Sequence, residues 1–147
     1  MSVMNSSSKT QTAQSEMKLV HTSIMPVRWG DMDAFGHVNN TVYFRYMEQA
    51  RIEWMASFMD LSQQSTVAPV LVNAQCDFLR SLKYPDQIEV AMYLSSPGRS
   101  SFETQYQIFR LGSDKVLCAQ GTGKVVWVDS VLEKSVPLPE NVLAQFK

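Results

Sequence analysis

Two cysteines and almost no net charge narrow what this chain can be before any motif is read. Cys76 and Cys118 stand alone in 147 residues, each inside a strand-like run, without metal-ligand spacing or the density of a disulfide-stapled secreted domain. They read as reduced core residues, because a catalytic thiol needs a base and an electropositive setting that their neighbours do not supply. Thirteen Lys and Arg against 14 Asp and Glu leave a formal net charge of -1. No global field therefore selects nucleic acid or an anionic lipid surface as partner. Long uncharged apolar runs are also missing, which argues against a membrane-spanning helix, and the N-terminus lacks the basic-then-apolar layout of a signal peptide. A cytoplasmic location is expected. Neither a P-loop, a dinucleotide glycine pattern nor a metal-binding cluster occurs, so chemistry without a cofactor or metal is expected.

What is present suits one domain. Residues 1–16 are dominated by Ser, Thr, Gln and Asn, with little apolar material to offset ordering entropy, and read as a tail ahead of a single domain over 17–147. Lys18 to Trp29 reads as a strand in which Pro26 demands an edge position or a bulge. Gly30 to Asn40, GDMDAFGHVNN, holds two Gly, two Asp and two Asn, the chemistry of turns and helix caps. From Thr41 to Met59, Tyr43, Met47, Ala50, Trp54 and Phe58 recur at spacings of three and four, while Phe44, Arg51, Ile52 and Met55 cover another side. A helix apolar over so much of its circumference is wrapped by other structure. Beyond a polar connection, strands are predicted over Val70 to Leu82, Gln87 to Leu94, Phe102 to Leu111 and Val116 to Val128, then a short helix over Pro139 to Phe146. The order is α+β: a five-stranded antiparallel sheet around one long central helix, although periodicity alone also permits other helix-on-sheet folds.

Asp31, Asp33, His37, Asn39 and Asn40 crowd into the turn before the helix, where unpaired N–H groups and the helix dipole favour negative charge. Such a place can stabilise an oxyanion, and a carboxylate beside it can act as nucleophile or as general base. The plainer reading of the same residues is helix capping.

WGDMDAFGHVNNTVYFRYMEQARIE, residues 29–53, resembles the signature of the hotdog thioesterases of the 4-hydroxybenzoyl-CoA thioesterase and acyl-CoA thioesterase group. DFLRSLKYPDQIEV, PGRSSFETQYQIF, GTGKVVWVD and VPLP follow in the order that group shows, so the resemblance spans about Lys18 to Phe146. It implies a hotdog fold and an acyl-CoA thioesterase, with Asp33 as the catalytic carboxylate and a backbone N–H near Asn40 as oxyanion donor. A His seven positions after the Asp, found in some relatives, is Asn40 here. Instead His37 stands in a GHVNN sequence similar to that of acyl-ACP thioesterases, with orienting water, proton transfer, substrate binding or plain structure as its alternatives. The resemblance also implies coenzyme A contacts around Arg99, Ser100 and Ser101, a basic N–H-rich turn able to grip phosphates, with Arg80 and Lys83 as weaker candidates. Glu48 is expected to pair with Arg51 at i,i+3 and to be structural, and Asp31 to be a turn residue. A homodimer with one continuous sheet and active sites at the subunit interface is implied, with a dimer of dimers as an extension. A hotdog 3-hydroxyacyl or enoyl thioester dehydratase, an acyl-ACP thioesterase and a non-enzymatic acyl-CoA sensor remain open as alternatives.

Overall fold

Lys18–Pro26 forms the first strand (β1) in the computed structural model, which describes residues 17–147. The tail expected over residues 1–16 lies outside the described residues. Four further long strands follow the central helix: β2 (Val67–Phe78), β3 (Gln87–Leu94), β4 (Ser101–Leu111) and β5 (Val116–Asp129). They form one antiparallel sheet in the order β1-β3-β4-β5-β2. The five expected strands are present, the second running Val67–Phe78 and so stopping short of the expected Leu82, with one addition: a two-residue β6 (Lys134–Ser135) pairs with the end of β5. β1 lies at one edge, its register slips between Leu19 and His21, and Pro26, which has no N–H for a ladder, closes it. β2 is the other edge and pairs only with β5 among the described residues.

The central helix (α1) is Asn40–Ala56. Asn39 caps it, its Oδ1 accepting from the Thr41 N–H at 3.0 Å and the Thr41 hydroxyl at 2.9 Å. Periodicity carried the expected helix to Met59, but the last turn tightens. Ser57 and Phe58 donate to carbonyls three residues back, and the Ser57 hydroxyl closes on the Trp54 carbonyl at 2.6 Å. Of the expected stripe, Tyr43, Met47, Ala50 and Trp54 are buried and Phe58 packs edge-on to Trp54 at 4.9 Å.

Strand alternation supplies the surface beneath α1. Ile88, Val90 and Met92 of β3 are fully buried, and Phe102, Tyr106 and Ile108 of β4 continue that layer. Trp54 meets Phe102 at 5.7 Å; deleting a side chain buried this completely typically costs about 3–5 kcal/mol. Gly121 of β5 lets the helix come close, since a Cβ there would overlap the sulfur of Met47. These contacts fix the direction of α1. Its first turn lies over the β2–β3 connection, where the Tyr43 hydroxyl accepts from the Leu82 N–H at 3.2 Å, and its last turn lies where β3 passes into β4. One antiparallel sheet curled around one long helix is the hotdog architecture.

The expected C-terminal helix is split into α2 (Glu140–Leu143) and a 3-10 turn (Ala144–Phe146), tied to β1 by Lys18 Nζ, which donates to the Gln145 and Lys147 carbonyls. Cys118 is buried and Cys76 half-buried, both as free thiols. Burial pushes both thiols up, Cys76 to about 11, so neither is an activated nucleophile. No helix among the described residues is long and apolar enough to cross a membrane.

Candidate active site

Residues 32–38 fold into a tight hairpin immediately ahead of α1. Met32 and Val38 bridge, the Asp33 N–H donates to the His37 carbonyl at 2.7 Å, and Gly36 takes the positive φ of 81° that the reversal requires. The hairpin hangs on the β2–β3 connection through the buried Val38, whose N–H donates to the Leu82 carbonyl at 2.8 Å.

Within this hairpin Asp33 is half-buried. Its Oδ1 accepts from the Phe35 N–H at 2.8 Å and the His37 N–H at 3.2 Å, which fixes the carboxylate. Its Oδ2 accepts nothing among the described residues. Asp31 likewise has one oxygen free among the described residues, but its Oδ2 accepts from the Arg28 N–H at 2.9 Å and from the hydroxyl of the buried Tyr46 at 2.8 Å. That carboxylate ties the turn before the hairpin to α1, in the turn role expected of it. Burial first, and then the hydrogen bond to Asp31, push the Tyr46 phenol well above its ordinary pKa, so it stays a donor. Sequence reasoning missed Tyr46; its place one turn beyond Tyr43 on the buried face was the signal available.

At the start of α1 the Thr41 N–H is taken by the Asn39 side chain and the Val42 N–H by the Asn39 carbonyl at 2.9 Å. The Asn40 N–H donates to nothing among the described residues and points from the positive end of the helix. The structure thus places Asp33, His37 and Asn40 in one hairpin and first turn. His37 is exposed and contributes backbone groups to the hairpin, while its imidazole bonds to nothing among the described residues.

One expectation changes. Glu48 does not pair with Arg51; it binds Arg45 at 2.8 Å, and Arg51 instead donates to the Tyr106 hydroxyl at 3.2 Å. Both Arg45 and Arg51 lie three residues from Glu48, and the cross-sheet phenol decides between them. Arg99, Ser100 and Ser101 form a turn fastened by their carbonyls to Leu138, Trp127 and Gly98, at the end of the sheet beneath the last turn of α1. Asp33 lies at the first turn of that helix, whose 17 residues span about 25 Å. Within one protomer Arg99 is therefore remote from Asp33, whereas the exposed Arg80 and Lys83 sit on the connection that carries the hairpin.

A groove of about 240 Å³ starts at Thr41 and runs along α1 past Phe44, Glu48 and Arg51, with Leu71 and Ala74 of β2 as its other wall. A second hollow, of about 310 Å³, is lined by Gln75, Tyr93, Gln105, Gln107 and Gln120. Gln105 and Gln107 alternate with the buried Thr104 and Tyr106, so this hollow lies on the sheet face turned away from α1. Beside the first groove the β2 edge exposes Val70, Leu71 and Val72.

By its fold this chain falls in the hotdog class. Residues 27–146 match the thioesterase-like superfamily, and the chain belongs to that family. It is similar to the PA2801 protein of Pseudomonas aeruginosa, at 33% identity and a TM-score of 0.83 over 88% of this chain and 100% of that one. A thioesterase of Thermus thermophilus, solved in complex with coenzyme A and zinc, shares 28% identity with a TM-score of 0.75 over 88% and 99% of the two chains. YsmA of Bacillus subtilis is 31% identical over 80 residues, which is 54% of this chain and 54% of that relative, so the match spans about half of its length.

Proposed function

We propose that the chain hydrolyses the thioester of an acyl-coenzyme A to the free acid and coenzyme A. One observation carries the residue assignment. Asp33 has one oxygen held by two N–H groups and the other free, in a hairpin that ends at a helix start with an uncommitted N–H at Asn40. In this reading the thioester carbonyl oxygen sits on the Asn40 N–H. Asp33 then either attacks the carbonyl carbon, expelling the thiolate and leaving a mixed anhydride that water hydrolyses to the free acid, or takes a proton from a water that attacks the carbon, after which the C–S bond breaks to release the thiolate. Loss of one such preorganised donor costs about a hundredfold to a thousandfold in rate. The His37 imidazole, exposed in the same hairpin, orients water or returns a proton to the departing sulfur.

Coenzyme A is favoured as the carrier because the similar Thermus thermophilus protein was solved with it. Two copies pairing along their β2 edges would cover Val70, Leu71 and Val72 and give one continuous sheet. The two-fold axis of that pairing reverses the partner's sheet, bringing the partner's 95–101 turn to the end where Asp33 lies. Arg99 then reaches coenzyme A phosphates in trans. A panel of acyl-CoA substrates followed by thiol release tests the activity, with Asp33→Asn as the control. No release from any member refutes the reading.

A further inference from the structure

We infer from the groove along α1 that the protein selects acyl groups whose far end carries a carboxylate, and that Arg51 recognises it. This rests on the thioesterase reading above. Arg51 is half-buried, and its guanidinium, with five N–H donors, makes one side-chain hydrogen bond among the described residues, to the hydroxyl of the buried Tyr106. Among the described residues no Asp or Glu lies within ion-pair distance of it. Glu48, one turn back and on the same groove, is engaged by Arg45 instead. With Arg45 and Glu48 offsetting each other, the groove keeps an uncompensated positive charge at Arg51. Drawing a cation out of water costs free energy unless an anion and hydrogen bonds compensate it. The geometry supplies a place for that anion.

Thr41, Phe44, Glu48 and Arg51 follow one another at spacings of three, four and three, so they share one face and the groove runs along the helix axis. Ten residues of helix separate Thr41 from Arg51, about 15 Å, and the lean of side chains towards the helix start shortens this. An acyl group whose carbonyl sits on the Asn40 N–H sends its far end past Phe44, Leu71 and Ala74 towards the guanidinium. A carboxylate there meets the planar fork with two parallel hydrogen bonds, whereas a methyl end leaves a desolvated charge without a partner.

The test uses two N-acetylcysteamine thioesters of equal chain length, one ending in methyl and one in carboxylate. Neither has a phosphate, so the contrast reports the acyl end alone. The protein is expected to favour the carboxylate-ended substrate by about 10- to 100-fold in kcat/KM. Arg51→Met, which keeps apolar bulk, should bring that ratio to about one or below, and Arg51→Lys, with charge but no fork, should fall between. Each ratio is taken within one variant, so partial loss of folded protein cancels. A wild-type ratio near or below one, or a carboxylate preference that survives Arg51→Met, overturns the inference and leaves thioester hydrolysis standing. Hydrolysis of neither substrate nor of any acyl-CoA overturns both.

Discussion

The Tyr46 hydroxyl donates a 2.8 Å hydrogen bond to Asp31, and this contact divides two acidic residues that stand only two positions apart. Asp31 is committed to a phenol and a backbone N–H. Removing it in Asp31→Ala leaves the phenol of the buried Tyr46 and the Arg28 N–H without their acceptor. A loss of about 1–3 kcal/mol in stability is expected from urea unfolding, with kcat changed only a few-fold. An unchanged urea midpoint would contradict this.

Asp33→Asn should do the reverse. The amide oxygen can still accept from the Phe35 and His37 N–H groups, so the hairpin is kept while the nucleophile or base is lost. Thiol release on the best substrate should show kcat lower by about a hundredfold or more, with an unaltered urea midpoint. A near-normal kcat would remove Asp33 from the chemistry.

Val72 lies on the open β2 edge and is 55% exposed in the protomer, so a lysine there is tolerated by the fold and opposed only by a second copy. Val72→Lys is expected to give a folded monomer by light scattering where the parent is a dimer. A parent already monomeric at micromolar concentration would dispose of the shared active site.

Arg99→Ala reports on the carrier. Its phosphate contact would be equally strong in ground and transition states, so KM for acyl-CoA should rise about tenfold or less, given the exposure of the side chain, while kcat holds. Hydrolysis of an N-acetylcysteamine thioester should not respond. Equal loss on both substrates would make Arg99 a structural residue.

Alkaline pH should loosen the fold. Burial moves the Cys76 thiol from 9.0 to about 11 and raises the Tyr43 and Tyr46 phenols. A raised acid holds its proton more tightly in the native state. Its contribution is therefore complete below the unfolded pKa and is lost as pH climbs through the folded one. For Cys76 that window runs from 9.0 to about 11. Urea midpoints should be level between pH 7 and about 8.5 and fall above it. A midpoint that rises with alkali would refute the burial argument.

Much of this architecture was legible in periodicity. Ile88, Val90, Met92 and Leu94 alternate in sequence and all four are buried, because a strand's side-chain period is two whatever lies around it. The stripe on α1 was legible for the same reason. The partner of Glu48 was not, since Arg45 and Arg51 are equivalent by spacing and the deciding phenol, Tyr106, comes from β4. Nor was the remoteness of Arg99 from Asp33, which depends on the direction of α1 across the sheet. At the hairpin the sequence showed which residues gather before the helix. Which oxygen of Asp33 is left free is set by the Phe35 and His37 N–H groups, and that Asp31 is tied to α1 is set by Tyr46.

The hairpin's suspension from Leu82 also bears on when the site forms. The same segment ties the start of α1, the Leu82 N–H and the Tyr43 hydroxyl being 39 residues apart, and β2, the strand that leads into Leu82, pairs among the described residues only with β5. Asp33 is thus made early by a ribosome but positioned late, once the chain has emerged through β5. Such non-local pairings slow folding, because loop-closure entropy is spent before the contacts return it. A nascent chain halted before β5 should carry every residue of the hairpin and still turn over no substrate.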